Sequence, residues 1–153
     1  MATERTNLLA DKLRLVRDGK ADPPPIAKTL GIQLVAVGEG SATAKMKVDS
    51  RYHNPMGTVH GGILSDLADL SMGVATASLL NGEETFTTLE LKINFLRPVF
   101  ETELQAEGRV VHRGRTIALA ESILKNSEGK DVARATATEL ILNPKNNTGS
   151  ANV

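Results

Sequence analysis

Cysteine and tryptophan are absent from this 153-residue chain, and one tyrosine and three phenylalanines are its only six-membered aromatic side chains. Without cysteine there can be no disulfide framework, no thiolate metal site and no thiol nucleophile, which suits a reducing compartment. So few flat side chains cannot build a platform for stacking bases. Net charge is also missing, because 18 Lys and Arg balance 18 Asp and Glu. A chain with no global field has nothing to draw a polyanion, so nucleic acid is not an expected partner. Long hydrophobic runs are lacking as well. The opening MATERTNLLADKLRLVRDGK is charged throughout and has no signal-peptide core, and the longest charge-poor stretch, His60 to Leu80, still contains Asp66 and Asp69. The expectation is a soluble, cytoplasmic protein with no membrane partner.

What is present is ordinary globular material: 41% hydrophobic residues and 13 glycines, in a length that suits one domain and buries about 70% of its unfolded surface. The chain divides into residues 1–22, an N-terminal helix and linker, residues 23–143, the folded domain, and residues 144–153, a polar tail. Leu8, Leu9, Leu13 and Val16 recur at helical spacing among charges and predict a surface helix over residues 5–19. Three prolines at 23–25 break it, and Pro25 opens a short helix that ends at Gly31.

From Ile32 the period changes to two. Ile32 to Val37 and Ala42 to Val48 flank Gly38-Glu39-Gly40 as a hairpin, and Asp49 to Val59 reads as an irregular polar loop. A buried helix follows, stopped by Asn81-Gly82. Four strands then read over residues 85–96, 103–112, 116–125 and 130–142, with short turns at Arg113-Gly114 and Asn126 to Gly129. In the first of these, strict alternation places Thr87, Leu89, Leu91, Ile93 and Phe95 on one face. The order predicts an α+β domain, an antiparallel sheet packed on one central helix.

That helix carries the chemistry. At 100° per residue, Ile63, Leu67, Leu70, Val74 and Ala77 share the arc expected to face the sheet, and Ser65, Asp66, Asp69, Gly73 and Thr76 share the other. Burying an unpaired carboxylate costs several kcal/mol, so two on a core helix require a reason. The helix dipole supplies about 0.3 to 1 kcal/mol in the first turns, which suits Asp66 better than Asp69. A structural role and a functional one for Asp69 stand open on composition alone. His60-Gly61-Gly62 at the helix start offers free N–H groups to a developing oxyanion, and glycine allows a substrate close to the backbone. Asn54 adds an amide donor from the same loop.

The run HNPMGTVHGGILSDLADLSMGVA resembles the signature of hotdog-fold acyl-CoA thioesterases of the PaaI (phenylacetyl-CoA thioesterase) type, and NFLRP, RGRTIALAE and SEGK extend the likeness over about residues 25–143. The resemblance implies a hotdog fold, with the sheet wrapped around a long central helix, and a homodimer with active sites at its interface, paired further into a tetramer. It implies Asp69 as general base or nucleophile and the Gly61 N–H as donor to the thioester oxygen. Asn54 and His60 would hold the loop, and Thr88 would contact the acid or the water across the dimer. The family commonly has Ser at positions 66 and 88, so Asp66 is a second carboxylate able to raise the pKa of its neighbour.

The substrate would be an acyl-CoA, with coenzyme A as part of the substrate and no separate cofactor or metal. Gly62, Asp66 and Met72 are expected to bind the substrate or its CoA, and the acyl pocket is expected beside the helix near Met56, Leu64, Met72 and a strand of the partner chain. Arg97, Arg113, Gly114 and Arg115 form a candidate phosphate cluster, with a merely solvated basic turn as the other reading. Two further functions share the scaffold: a hydratase or dehydratase on acyl thioesters, and a non-catalytic acyl-CoA-binding protein.

Overall fold

A computed structural model describes residues 7–144; the tail beyond that, and the predicted first turn of the N-terminal helix at residues 5 and 6, lie outside the described residues. Helix α1 (Leu8–Arg17) begins where the Asn7 side chain accepts the Ala10 N–H, and the same side chain donates to the Ala77 carbonyl at 2.9 Å. Leu9 and Leu13 pack against Ala77, Leu80, Ala118 and Ile141. Helix α2 (Pro25–Leu30) starts on proline and closes on Gly31, whose φ of 73° is left-handed.

Six strands follow: β1 (Gln33–Gly38), β2 (Ser41–Val48), β3 (Thr85–Phe95), β4 (Thr102–Arg113), β5 (Ile117–Lys125) and β6 (Asp131–Leu142). Between β2 and β3 run a short 3-10 turn (Ser50–Tyr52), inside the stretch expected to be irregular, and helix α3 (Gly61–Ala77). All strand pairs are antiparallel, in the order β1-β2-β4-β5-β6-β3. The first strand after α3 therefore forms the far edge, because α3 carries the chain across the whole sheet. Helix α3 touches all six strands.

The scarcity of aromatics has a structural counterpart. The helix side of the sheet is floored with Ala42, Ala44, Ala106, Ala118, Ala120, Ala133, Ala135 and Ala137, all buried, so α3 lies close upon it. Closest approach is at Gly108 on β4, where a Cβ would stand 2.3 Å from the Ser71 carbonyl oxygen and 2.8 Å from the Met72 nitrogen. Beside it the Ser71 and Ser122 hydroxyls share a buried hydrogen bond of 2.8 Å, and Ser71 also donates to the Ala68 carbonyl.

This contact rotates the helix from the orientation its hydrophobic arc predicts. The stripe facing the sheet is Leu64, Leu67, Ala68, Ser71, Met72 and Ala75, whereas Ile63 and Leu70 are only partly buried. Small residues win the centre because distance of approach, not hydrophobicity, decides the packing there.

Strand β3 also departs from strict alternation. Its pairing with β6 shifts between Thr88 and Glu90, so Leu89 is an extra residue and 58% exposed. The bulge reverses the parity upstream: Phe86 and Thr88 turn inward, and Thr87 turns out.

Candidate active site

The loop before α3 is built by its own side chains. The Asn54 carboxamide accepts the Met56 N–H at 2.9 Å and the Thr58 N–H at 3.3 Å, and donates to the Thr58 hydroxyl at 3.0 Å. Asn54 thus holds the turn to Thr58. His60 is the N-cap of α3, its Nδ1 accepting the Gly62 N–H at 2.9 Å, which places the ring proton on Nε2. Gly62, expected at the substrate, has its donor already engaged. The Gly61 N–H has no acceptor among the described residues and points from the positive end of a 17-residue helix.

Gly61 lies in a cleft of about 410 Å³ with Asn54, Leu64, Phe95, Arg97 and Val99 on its walls. The Phe95 ring covers Gly61 so closely that a Cβ there would meet it at 2.6 Å. Met72 is fully buried in the core, because the rotation of α3 turns it onto the sheet.

Asp69 lies halfway along α3 on the flank facing β3, and the Thr88 hydroxyl donates to its Oδ1 at 2.9 Å. This contact lies within one chain, where the bulge after Thr88 turns that side chain toward its own helix. Asp66, one turn earlier, is exposed; partial burial first, and then the charge of Asp69, hold its carboxyl above the ordinary value.

The expected arginine cluster does not form within the chain. Arg97 borders the cleft at the start of α3 and donates to the Asp131 carbonyl, whereas Arg113, Gly114 and Arg115 line a larger depression with Arg14, Ser78 and Asn81 at the helix's other end. Arg113 is committed there to Glu84 at 2.8 Å and to the Gly114 carbonyl. A helix of 17 residues separates the two groups by about 25 Å.

One residue near the site escaped the sequence reading. Glu139 on β6 is fully buried, stands opposite Thr88 in the β3 pairing, and neither carboxylate oxygen has a hydrogen-bond partner. The signal was available: Ala133, Ala135, Ala137 and Ile141 alternate on the buried face, and Glu139 has their parity. Among the described residues no group of three His, Asp or Glu could hold a metal ion, and no helix is long and apolar enough to cross a membrane.

An antiparallel sheet wrapped on one long helix, with a donor loop at the helix start and a carboxylate at its middle, defines a hotdog-fold thioester hydrolase. The family model of the thioesterase superfamily matches residues 56–133, just over half of the chain, and the chain belongs to that superfamily. Its fold is similar to that of the E. coli PaaI protein from the phenylacetic acid degradation operon, 27% identical, with a TM-score of 0.78 over 88% of this chain and 96% of that one. Haemophilus influenzae thioesterase HI1161 is 26% identical, with a TM-score of 0.76 over 94% and 96% of the two chains. The proofreading thioesterase EntH of Klebsiella pneumoniae is 30% identical over 66% of this chain and 74% of its own length.

Proposed function

We propose that the protein hydrolyses acyl-CoA thioesters of aryl or medium to long acyl groups, with Asp69 as general base and the Gly61 N–H as oxyanion donor. The observation that carries this is the orientation of Asp69 by Thr88 on the helix whose first N–H is unclaimed. Asp69 takes a proton from water as its oxygen attacks the thioester carbon, and the carbonyl oxygen becomes an oxyanion held by the Gly61 N–H. Collapse breaks the C–S bond, and the CoA thiolate leaves with the proton from Asp69.

Gly61 and Asp69 are eight residues apart on one helix, about 12 Å along its axis, too far to act on the same thioester. We therefore read each active site as composite, the donor from one protomer and the Thr88-oriented base from another. The outer edge of β3, eleven residues with Leu89 and Phe95 exposed, offers the surface on which a second copy would continue the sheet. Further pairing to a tetramer in the cytoplasm belongs to the same reading. Arg97 and Arg115 retain unpaired donors for the CoA phosphates, since Arg113 is spent on Glu84.

Two chains test both parts. Asp69→Asn is expected to lose nearly all thiol release from an acyl-CoA panel while remaining folded. Gly61→Pro removes the donor at a helix position that accepts proline. Each alone is inactive, but mixed and reassembled they regenerate one intact site per heterodimer, about a quarter of wild-type activity in a random mixture. A mixture as inactive as its parts refutes the composite site, and an active Asp69→Asn refutes the base.

A further inference from the structure

Glu139 is the one fully buried charged side chain among the described residues, and its position behind the Thr88–Asp69 hydrogen bond ties it to the site. Every element packed against it contributes something. From α3 come Asp69 and Thr76, the Thr76 hydroxyl approaching the carboxyl but missing hydrogen-bond geometry and itself left without a partner. From β3 comes Thr88, and from β5 Ala118, the two residues paired directly with Glu139. One strand further along the same row is Arg113 of β4, whose charge is turned away to Glu84. No cation among the described residues pairs with Glu139, and the charge that acts on it is that of another carboxylate, Asp69.

An ionised carboxylate cannot be kept in such a place cheaply, whereas a carboxylic acid can. We propose that Glu139 is a positioning residue acting through Asp69: a neutral carboxylic acid behind the Thr88–Asp69 pair that leaves the site's negative charge on Asp69 and, when it ionises, sets the upper pH limit of hydrolysis. Burial first, opposed by the Thr76 hydroxyl and reinforced by the charge of Asp69, holds the Glu139 carboxyl above the ordinary glutamate range. Full burial with neither a hydrogen-bond partner nor a cation beside it keeps the proton on Glu139. Once that proton leaves, a second negative charge faces the site in which the thioester oxygen must itself become negative, and the rate falls.

The inference rests on Asp69 as base, so its test includes a measurement independent of turnover. In full-length protein labelled with 13C at the glutamate carboxyls, the Glu139 resonance, assigned by its loss in Glu139→Gln, is expected to titrate last of the glutamates, and to titrate earlier in Asp69→Asn. In the Glu139→Gln enzyme, kcat/KM against pH is expected to lose the alkaline fall of the wild type while keeping the acid limb. The Gln variant also melts higher than wild type at neutral pH, an advantage that vanishes as the pH falls toward 4.5, the ordinary value for glutamate. A Glu139 that titrates with the exposed glutamates, an unaltered alkaline limb, or a Gln variant less stable at neutral pH overturns the proposal. Activity surviving in Asp69→Asn would instead overturn the base and leave the titration to judge Glu139.

Discussion

Adding a single methyl group at Gly108 and at Gly61 should cost very different amounts of stability, although the two overlaps are similar in size. A Cβ at Gly108 would lie 2.3 Å from the Ser71 carbonyl oxygen and 2.4 Å from its carbon, and a Cβ at Gly61 would lie 2.6 Å from the tip of the Phe95 ring. The neighbours differ in what they can do. The atoms met at Gly61 are the far end of the Phe95 side chain, which can rotate aside, whereas Ser71 presents the backbone of a helix held against all six strands. Ordinary contact begins at 3.4 Å, so Gly108→Ala must lift α3 from β4 by about 1 Å. Overpacking of that kind costs about 1 to 3 kcal/mol, sometimes more, from which up to about 1 kcal/mol of unfolded-state entropy is recovered.

Each kcal/mol lowers the melting temperature of a domain of about 150 residues by about 2 to 4 °C, so Gly108→Ala should melt several degrees low and Gly61→Ala within a degree or two of wild type. Thermal scans at one protein concentration read this directly. Activity should fall in both for different reasons. Lifting α3 two residues from Asp69 spoils its 2.9 Å contact with Thr88, and a 1 Å misplacement can cost about 100-fold. Gly61→Ala displaces the ring that covers the donor while keeping its N–H. Truncating Ser71 to Ala should not rescue Gly108→Ala, since the collision is with backbone. Equal melting temperatures for the two alanine variants, or rescue by Ser71→Ala, would refute this account of how the helix is seated.

Thr88→Val removes the hydroxyl from Asp69 and should lower kcat about tenfold or more with little change in KM, with Thr88→Ser restoring most of it; a KM effect alone would place Thr88 in binding. Asp66 is raised in the folded protein by burial and then by Asp69, so the native state holds its proton more tightly than the unfolded chain does. Stability from this group is therefore present below the ordinary value of 3.8 and is lost as pH rises through the folded value. Asp66→Asn should accordingly melt higher than wild type at neutral pH and equal to it near pH 3, as scans across that range would show.

The elements were legible in the sequence to within a few residues because the periodicities of 3.6 and 2 are set by the same burial that the fold achieves, as in β2 and β6. What escaped was rotation and parity. Helix α3 offers apolar residues around much of its circumference, so the hydrophobic arc could not choose its face; Gly108 and Ser122, more than thirty residues further on, choose it by how near they let the backbone come. The bulge at Leu89 likewise has no local signature, since leucine between threonine and glutamate suits either face.

Both misreadings bear on the same chemistry. A sheet floored with alanine draws α3 in until Asp69 reaches β3, and the extra residue in β3 turns Thr88 to meet it while leaving Glu139 behind the pair. The motif at His60-Gly61-Gly62 could be read directly because its function lies in backbone that three residues define. The carboxylate half of the site could not, because four residues on three elements place it: Asp69 and Thr76 on the helix, Thr88 on one strand and Glu139 on the next. A zero net charge over the whole chain therefore coexists with Asp66, Asp69 and Glu139 on one side of a helix, none paired with a cation among the described residues. Burial is the first cause that raises the carboxyls of Asp66 and Glu139, and the charge of Asp69 adds to it in both, so the acidic side of the helix is set by how deeply each group lies as well as by its neighbours.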